Sequence, residues 1–282
     1  MEATINTSQA IAQPLAPEAA PSLRPITARQ GHLLSDSYAM FKRCIRINFR
    51  NPDAFGMSIV APFLMMLLLG YVFGGAMAMG RETYINFIVP SIMLISIAQS
   101  TIFTGISVSK EVKNGIIDRF RSMPIAQSSV LVGHVAASMF RSIVVMLAVT
   151  AGAFIIGFRP EASAVQWLTI AGLLLLFTLG MTWIAVLVGL TVKSEEAASS
   201  SLTMVSLLPY LSSGFAPVET LPAGLRAFAQ YQPITPVIDN ARALMMGGSI
   251  GADFAAAILW WVAIAAIACL VAIKTYHRKL TK

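Results

Sequence analysis

Residues 165–192 read VQWLTIAGLLLLFTLGMTWIAVLVGLTV, an apolar run that holds no Asp, Glu, Lys or Arg between Val165 and Val192. Crossing the ~30 Å hydrocarbon layer takes about 20 apolar residues in a helix, so this run is long enough to span and to tilt or project from the bilayer. Five more stretches of the same kind run from Ala54 to Ala76, Tyr84 to Val108, Val130 to Phe158, Ser200 to Ala216 and Phe254 to Tyr276. The one from Ser200 is short and polar.

Composition agrees with this reading. The 282 residues are 56% hydrophobic and 12% charged, against roughly 25% charged in soluble proteins. So little charge cannot coat a globule of this size, whereas lipid accepts apolar side chains on every face of a helix. The fold class expected is an all-α polytopic membrane protein with six transmembrane helices, multi-pass in the bacterial plasma (inner) membrane.

The basic residues set the expected orientation, because short loops rich in Lys and Arg stay in the cytoplasm. Arg24, Arg29, Lys42, Arg43, Arg46 and Arg50 precede the first span. Lys110, Lys113, Arg119 and Arg121 follow the second, Lys193 the fourth, and Lys274, Arg278, Lys279 and Lys282 the sixth. The other side carries Arg81, Arg159, Arg226 and Arg242. Both termini are therefore expected in the cytoplasm, and the positive net charge calls for no nucleic-acid partner.

Residues 1–32, with Pro14, Pro17, Pro21 and Pro25, read as a disordered cytoplasmic tail and not as a cleaved signal peptide, since no apolar run lies among them. Residues 33–282 read as one membrane-spanning domain. At its start Leu34, Tyr38, Phe41, Ile45 and Phe49 recur at helical spacing, with Lys42, Arg43, Arg46 and Arg50 on the other side. That pattern predicts an interfacial elbow helix with its basic side at the lipid headgroups, capped by Ser35 and ended by Asn51-Pro52. Between Pro217 and Asp253, one short helix is expected after Thr220-Leu221-Pro222, carrying Leu225 and Phe228. A second should run from Thr235-Pro236 to Met246 and close at Gly247-Gly248. Such helices either re-enter the outer leaflet or lie flat on it.

No catalytic constellation emerges, and no phosphate-binding G-x-x-x-x-G-K-[ST] loop is present. If transport consumes ATP, another chain binds it, and no cofactor is expected in this one. Cys44 and Cys269 lie far apart, and His32, His134 and His277 are scattered, so a metal site is not indicated either. The spans hold no carboxylate of the kind an ion-coupled carrier uses. Arg141 is expected to snorkel from the cytoplasmic edge of the third span, with a buried contact to substrate or another subunit as the alternative.

Two polar stripes stand out: Ser96, Gln99, Ser100 and Thr104 on the second span, and Thr203, Ser206, Tyr210 and Ser213 on the fifth. Each keeps to one helical face and should point at protein or a cavity. They are candidates for a substrate path or a dimer seam, and helix packing accounts for them equally well. A third signal is the charged segment from Lys110 to Pro124. There Val112, Ile116 and Phe120 form an apolar face, Gly115 breaks it and Pro124 stops it. A solvated loop has no need of those apolar residues, so they want a partner surface.

At this segment the chain resembles the type 2 ABC export permeases, the daunorubicin-resistance-like drug exporters in particular. Glu111, Gly115, Arg119 and Pro124 stand at the family's spacing, and Phe120-Arg121-Ser122-Met123-Pro124-Ile125-Ala126 looks like that subgroup. Gln232-Pro233-Ile234-Thr235-Pro236, followed by Asp239 and Arg242, is similar to the family's outer segment before the last span. Phe120 stands where Leu is common, and Arg141 is an added charge. The resemblance implies a second permease copy, in a homodimer or heterodimer, clamped by two ABC ATP-binding subunits. Glu111, Gly115, Ile116, Arg119, Phe120 and Pro124 would form the ATPase-coupling loop. Drugs, polyketides and lipids are the implied cargo, with an ATP-independent channel or secondary transporter as the alternative.

Overall fold

The structure is a computed structural model that describes residues 33–49, 52–74, 81–116, 126 and 128–280. The proline-rich tail and residues 117–125 fall outside them. Among the described residues every element is helical. In chain order the α-helices are α1 (Leu33–Phe49), α2 (Pro52–Leu67), α3 (Arg81–Lys113), α4 (Ser128–Ile156), α5 (Ala164–Thr191), α6 (Glu195–Ser206), α7 (Ala223–Tyr231), α8 (Thr235–Met245) and α9 (Phe254–Leu280).

Four of these, α3, α4, α5 and α9, are long and apolar enough to cross a membrane. They match the hydropathy reading at 84–108, 130–158, 165–192 and 254–276, with α3 extended a turn further at its C-terminal end. Helix α2 continues into a π-helical turn, Leu68–Phe73, where Gly74 N–H donates to Leu69 O at 3.0 Å. Gly70 lies in that turn because a Cβ there would come within 3.0 Å of Ile85.

The stretch from Ser200 to Ala216 is not one straight span. Helix α6 starts earlier, at Glu195, and runs for 12 residues, about 18 Å at 1.5 Å per residue. Pro209 has no N–H to continue the ladder, and the chain tightens into a 3-10 turn at Leu208–Leu211. Helix α1 begins at Leu33, so Ser35 lies inside it and is not its cap.

Helix ends follow the glycines where the backbone turns left-handed. Gly115 (φ 63°) stops α3, Gly157 (φ 115°) stops α4 and Gly247 (φ 73°) stops α8. At α4, Phe158 N–H reaches back to Ala153 O at 2.9 Å, and at α8, Gly248 N–H reaches Ala243 O at 2.8 Å.

Helices α3 and α5 form the centre, with α4, α6, α8 and α9 packed around them. Ile88, Val89, Ile92, Phe177 and Trp261 belong to the larger apolar cluster, and Phe177 meets Trp261 edge-on at 4.5 Å. Met40, Val108, Leu131 and Tyr276 belong to a second cluster. The α3–α5 crossing is a backbone contact. A Cβ on Gly189 would sit 2.5 Å from Gly105 O, and one on Gly105 would sit 2.9 Å from Ala185 O. Glycine is required there because the two backbones leave no room for a side chain.

Candidate functional site

Two buried polar layers join α1, α3 and α4. In the first, Glu111 on the last turn of α3 accepts from Arg43 Nη1 at 2.7 Å on one oxygen, and its other oxygen lies 3.1 Å from His134 Nε2 of α4. His134 Nδ1 lies 3.7 Å from Cys44 Sγ of α1. Glu111 is thus a helix residue, 6% exposed, and not part of a loop. A carboxylate taken out of water needs such partners.

The second layer lies two helical turns deeper, at Arg141. Its Nη2 donates to Ser100 O at 2.7 Å and Thr104 Oγ1 at 2.8 Å, its Nε to Ser100 Oγ at 3.3 Å, and its Nη1 to Asn48 Oδ1 of α1 at 3.3 Å. Phe103 lies under the guanidinium, 5.5 Å from the ring centre. The snorkelling expectation is therefore corrected: Arg141 is buried and spends its donors on α3 and α1. Neutral oxygens substitute for water around it, which lets a cation stay inside a helix bundle. A cavity of about 20 Å³ separates the layers, lined by Asn48, Thr104, Ser107, Glu111 and His134 among others.

Ser100 and Thr104, singled out from sequence, thus face Arg141, and Ser100 Oγ also meets Ser142 Oγ at 3.2 Å. Ser96 Oγ turns back to Ile92 O in its own helix at 2.6 Å, and Gln99 is half-buried. The other stripe disperses. Thr203 is exposed, Ser206 Oγ donates to Thr203 O at 2.8 Å, Tyr210 OH reaches Met65 Sδ at 3.7 Å, and Ser213 Oγ donates to Asp239 Oδ1 at 2.6 Å. Among the described residues no hydrogen bond links the two stripes.

Of the Lys110–Pro124 segment, Glu111, Gly115 and Ile116 are described, while Arg119, Phe120 and Pro124 lie outside the described residues. Val112 packs against the second apolar cluster, so its partner is this chain. Asn48, His134 and Cys44 were missed. A signal for them exists: Ser100, Thr104 and Glu111 share one face of α3, as His134 and Arg141 do of α4, at steps of four and seven.

At the other end a second cluster organises the short helices. Arg242 of α8 donates to Ser213 O at 2.8 Å, Phe87 O at 3.1 Å and Asp239 Oδ1 at 3.0 Å, and lies 3.7 Å over the Phe87 ring. Burial lowers its pKa from the usual guanidinium value, and the Asp239 charge opposes that. Ser91 Oγ donates to Gly214 O at 2.9 Å, Gln232 Nε2 to Leu211 O at 2.6 Å, and Trp261 Nε1 to Pro233 O at 3.0 Å. Gln232, Asp239 and Arg242 come from the second sequence motif. Among the described residues no group of three or more His, Cys, Asp or Glu is placed to hold a metal.

A bundle whose long helices are apolar enough to cross a membrane, joined by buried polar layers at Glu111 and Arg141, is an integral multi-pass membrane protein. Residues 36–246 match the model of the ABC-2 type transporter family, and the chain belongs to that family. It is a membrane permease subunit of an ABC transporter, a type of subunit that works with an ATP-binding partner. A daunorubicin resistance ABC transporter permease protein of Streptomyces coeruleorubidus is 28% identical over 191 residues, which cover 67% of each chain. A probable doxorubicin resistance ABC transporter permease protein of Mycobacterium tuberculosis is 24% identical over 227 residues, covering 79% of this chain and 80% of that one.

Proposed function

We propose that this permease exports an amphipathic or hydrophobic molecule (a drug, polyketide or lipid), driven by ATP hydrolysed on a partner chain. In this reading it sits in the bacterial inner membrane with both termini in the cytoplasm and binds no cofactor of its own. It crosses six times. Helix α2 with its π turn serves as the first span, and the stretch from Ser200 in α6 through the 3-10 turn to Ala216 as the fifth. Helix α1 is the interfacial elbow, with Leu34 and Tyr38 exposed toward lipid, and α7 and α8 are the outer short helices. The relatives' names, which concern anthracycline resistance, support the cargo class. A second permease copy meets this one along the exposed apolar faces that carry Met57 and Leu64 of α2, Met204 of α6, and Leu207 and Leu211 just after it.

The observation that carries the proposal is the position of Glu111. It stands where the coupling segment leaves α3, and it is bonded to α1 through Arg43 and to α4 through His134. A push on the segment by the ATPase subunit therefore reaches three helices together. Phe120 is the residue on that segment best suited to fill a groove in the partner, since burying one large side chain contributes roughly 1.5–3 kcal/mol. Truncating Phe120 to Ala is expected to loosen co-purification with the ATPase subunit and abolish cargo-stimulated ATP hydrolysis, with membrane insertion unchanged. Full retention of both activities removes the segment as the coupling element.

A further inference from the structure

An apolar groove of about 380 Å³ runs between α4 and α5 with Met93 of α3 at its floor, within the range of about 300–1,000 Å³ typical of small-molecule sites. On α4 it is lined from Met146 to Phe154 and on α5 from Trp167 to Leu174. At 1.5 Å per residue each wall is about 10–12 Å long, close to the depth of one leaflet's hydrocarbon. The groove starts within a turn of the paired ends of the two helices, where α4 stops at Ile156 and α5 begins at Ala164.

Its chemistry is selective. The Thr150 hydroxyl is spent on Met146 O at 2.7 Å, which leaves the walls with hydrocarbon to offer, apart from the Trp167 indole N–H. Trp is the side chain found at headgroup level, half apolar and half wet. Leu147 and Phe154 in its α4 wall are exposed at 63% and 43%, a surface that only lipid or protein can cover.

At the mouth stands Arg159. Its Nη1 donates to Phe154 O at 3.1 Å and Phe158 O at 2.9 Å, which ties an exposed guanidinium to a residue that lines the groove. Those are its side-chain bonds among the described residues, so the rest of its planar fork is open to a phosphate. The nearest acid in sequence, Glu161, has its backbone N–H on Met245 O at 2.9 Å and packs toward Gly247 of the α8 turn.

We propose that this groove is a site for one anionic phospholipid, with an acyl chain along α4 and α5 and its phosphate on Arg159. The site is separate from the polar layers at the Glu111 end and does not depend on which cargo is exported. The test is native mass spectrometry of the purified full-length chain after reconstitution with equal amounts of phosphatidylglycerol and phosphatidylethanolamine. Wild type is expected to retain phosphatidylglycerol about fivefold over phosphatidylethanolamine, the weight of one basic residue at a charged membrane surface. Arg159→Gln should bring the ratio to about one, and Ala171→Phe, which fills the groove, should lower retention of both lipids. If Ala171→Phe does not insert, the Arg159→Gln comparison decides alone. An unchanged ratio in Arg159→Gln, or no preference in wild type, overturns the proposal. So does disulfide cross-linking of two copies through Leu147→Cys, which would make the groove a protein interface.

Discussion

The Glu111 layer and the Arg242 cluster each tie several segments together, but the first uses side chains on both sides of its contacts and the second reaches mostly for backbone carbonyls. Glu111 meets Arg43 and His134, whereas Arg242, Gln232, Ser91 and Trp261 end on Ser213 O and Phe87 O, Leu211 O, Gly214 O and Pro233 O. The difference follows from the backbone each one serves. Helices α1, α3 and α4 satisfy their own amides, so side chains are free to select how the helices sit against one another. Phe87 O belongs to α3, but the other acceptors lie between α6 and α8, where the chain is broken into short turns whose carbonyls lack helical partners and must find donors elsewhere. One cluster therefore sets an arrangement of rigid bodies, and the other maintains the fold of a chain segment.

The largest effect that would test this contrast is Glu111→Ala. Losing one member of a buried ion pair costs about 3–5 kcal/mol, and the partial exposure of Arg43 places the expected loss toward the lower value. A thermal unfolding midpoint well below wild type, together with easier cross-linking of α1 to other segments, is expected. An unchanged midpoint would break the distinction. Arg242→Ala comes next, at about 1.5–3 kcal/mol for hydrogen bonds made by a charged group. Its signature is local: faster proteolysis between Ser212 and Asp253, with the α1–α3–α4 contacts intact. Arg242→Lys should restore little, because an ammonium cannot reproduce the planar fork.

The smallest effect concerns neither cluster. Ser194 caps α6 by accepting from Ala197 N–H at 3.1 Å, and Ser194→Ala should cost about 1 kcal/mol, read as faster amide exchange in the first turn of α6. Beside it a backbone N–H, then the Ser194 hydroxyl, hold the exposed Glu196 carboxyl below its ordinary range. That contribution is present above the ordinary carboxylate pKa and is lost as pH falls through the lowered value. Glu196→Gln should therefore matter at neutral pH and not in acid.

Hydropathy placed the long helices because lipid-facing and buried residues are both apolar, so a run such as 165–192 reads the same whichever way it turns. At Ser200–Ala216 it gives a single run where the structure has a helix and then a 3-10 turn at Pro209, because this part of the chain packs against α3 and α5. It misjudged Arg141 for a related reason. Depth along a helix can be counted in sequence, but whether Ser100, Thr104 and Asn48 stand opposite depends on how α3 and α1 are rotated. Family spacing picks out Glu111 but places it in a loop that docks on a partner, since nothing local tells a last helical turn from the loop after it. Its partners Arg43 and His134 lie 68 and 23 residues away, beyond the reach of any periodicity.

The glycine contact between α3 and α5 also bears on mechanics. Gly105 lies eight residues from the Lys113 end of α3 and 24 from the Arg81 end, or about 12 Å and 36 Å along the axis. Two backbones in contact at a single crossing act as a fulcrum, and this one divides the helix into a short arm and a long arm. A tilt that moves the Lys113 end by one unit swings the Arg81 end by about three in the opposite sense. The gearing favours travel at the far end over force.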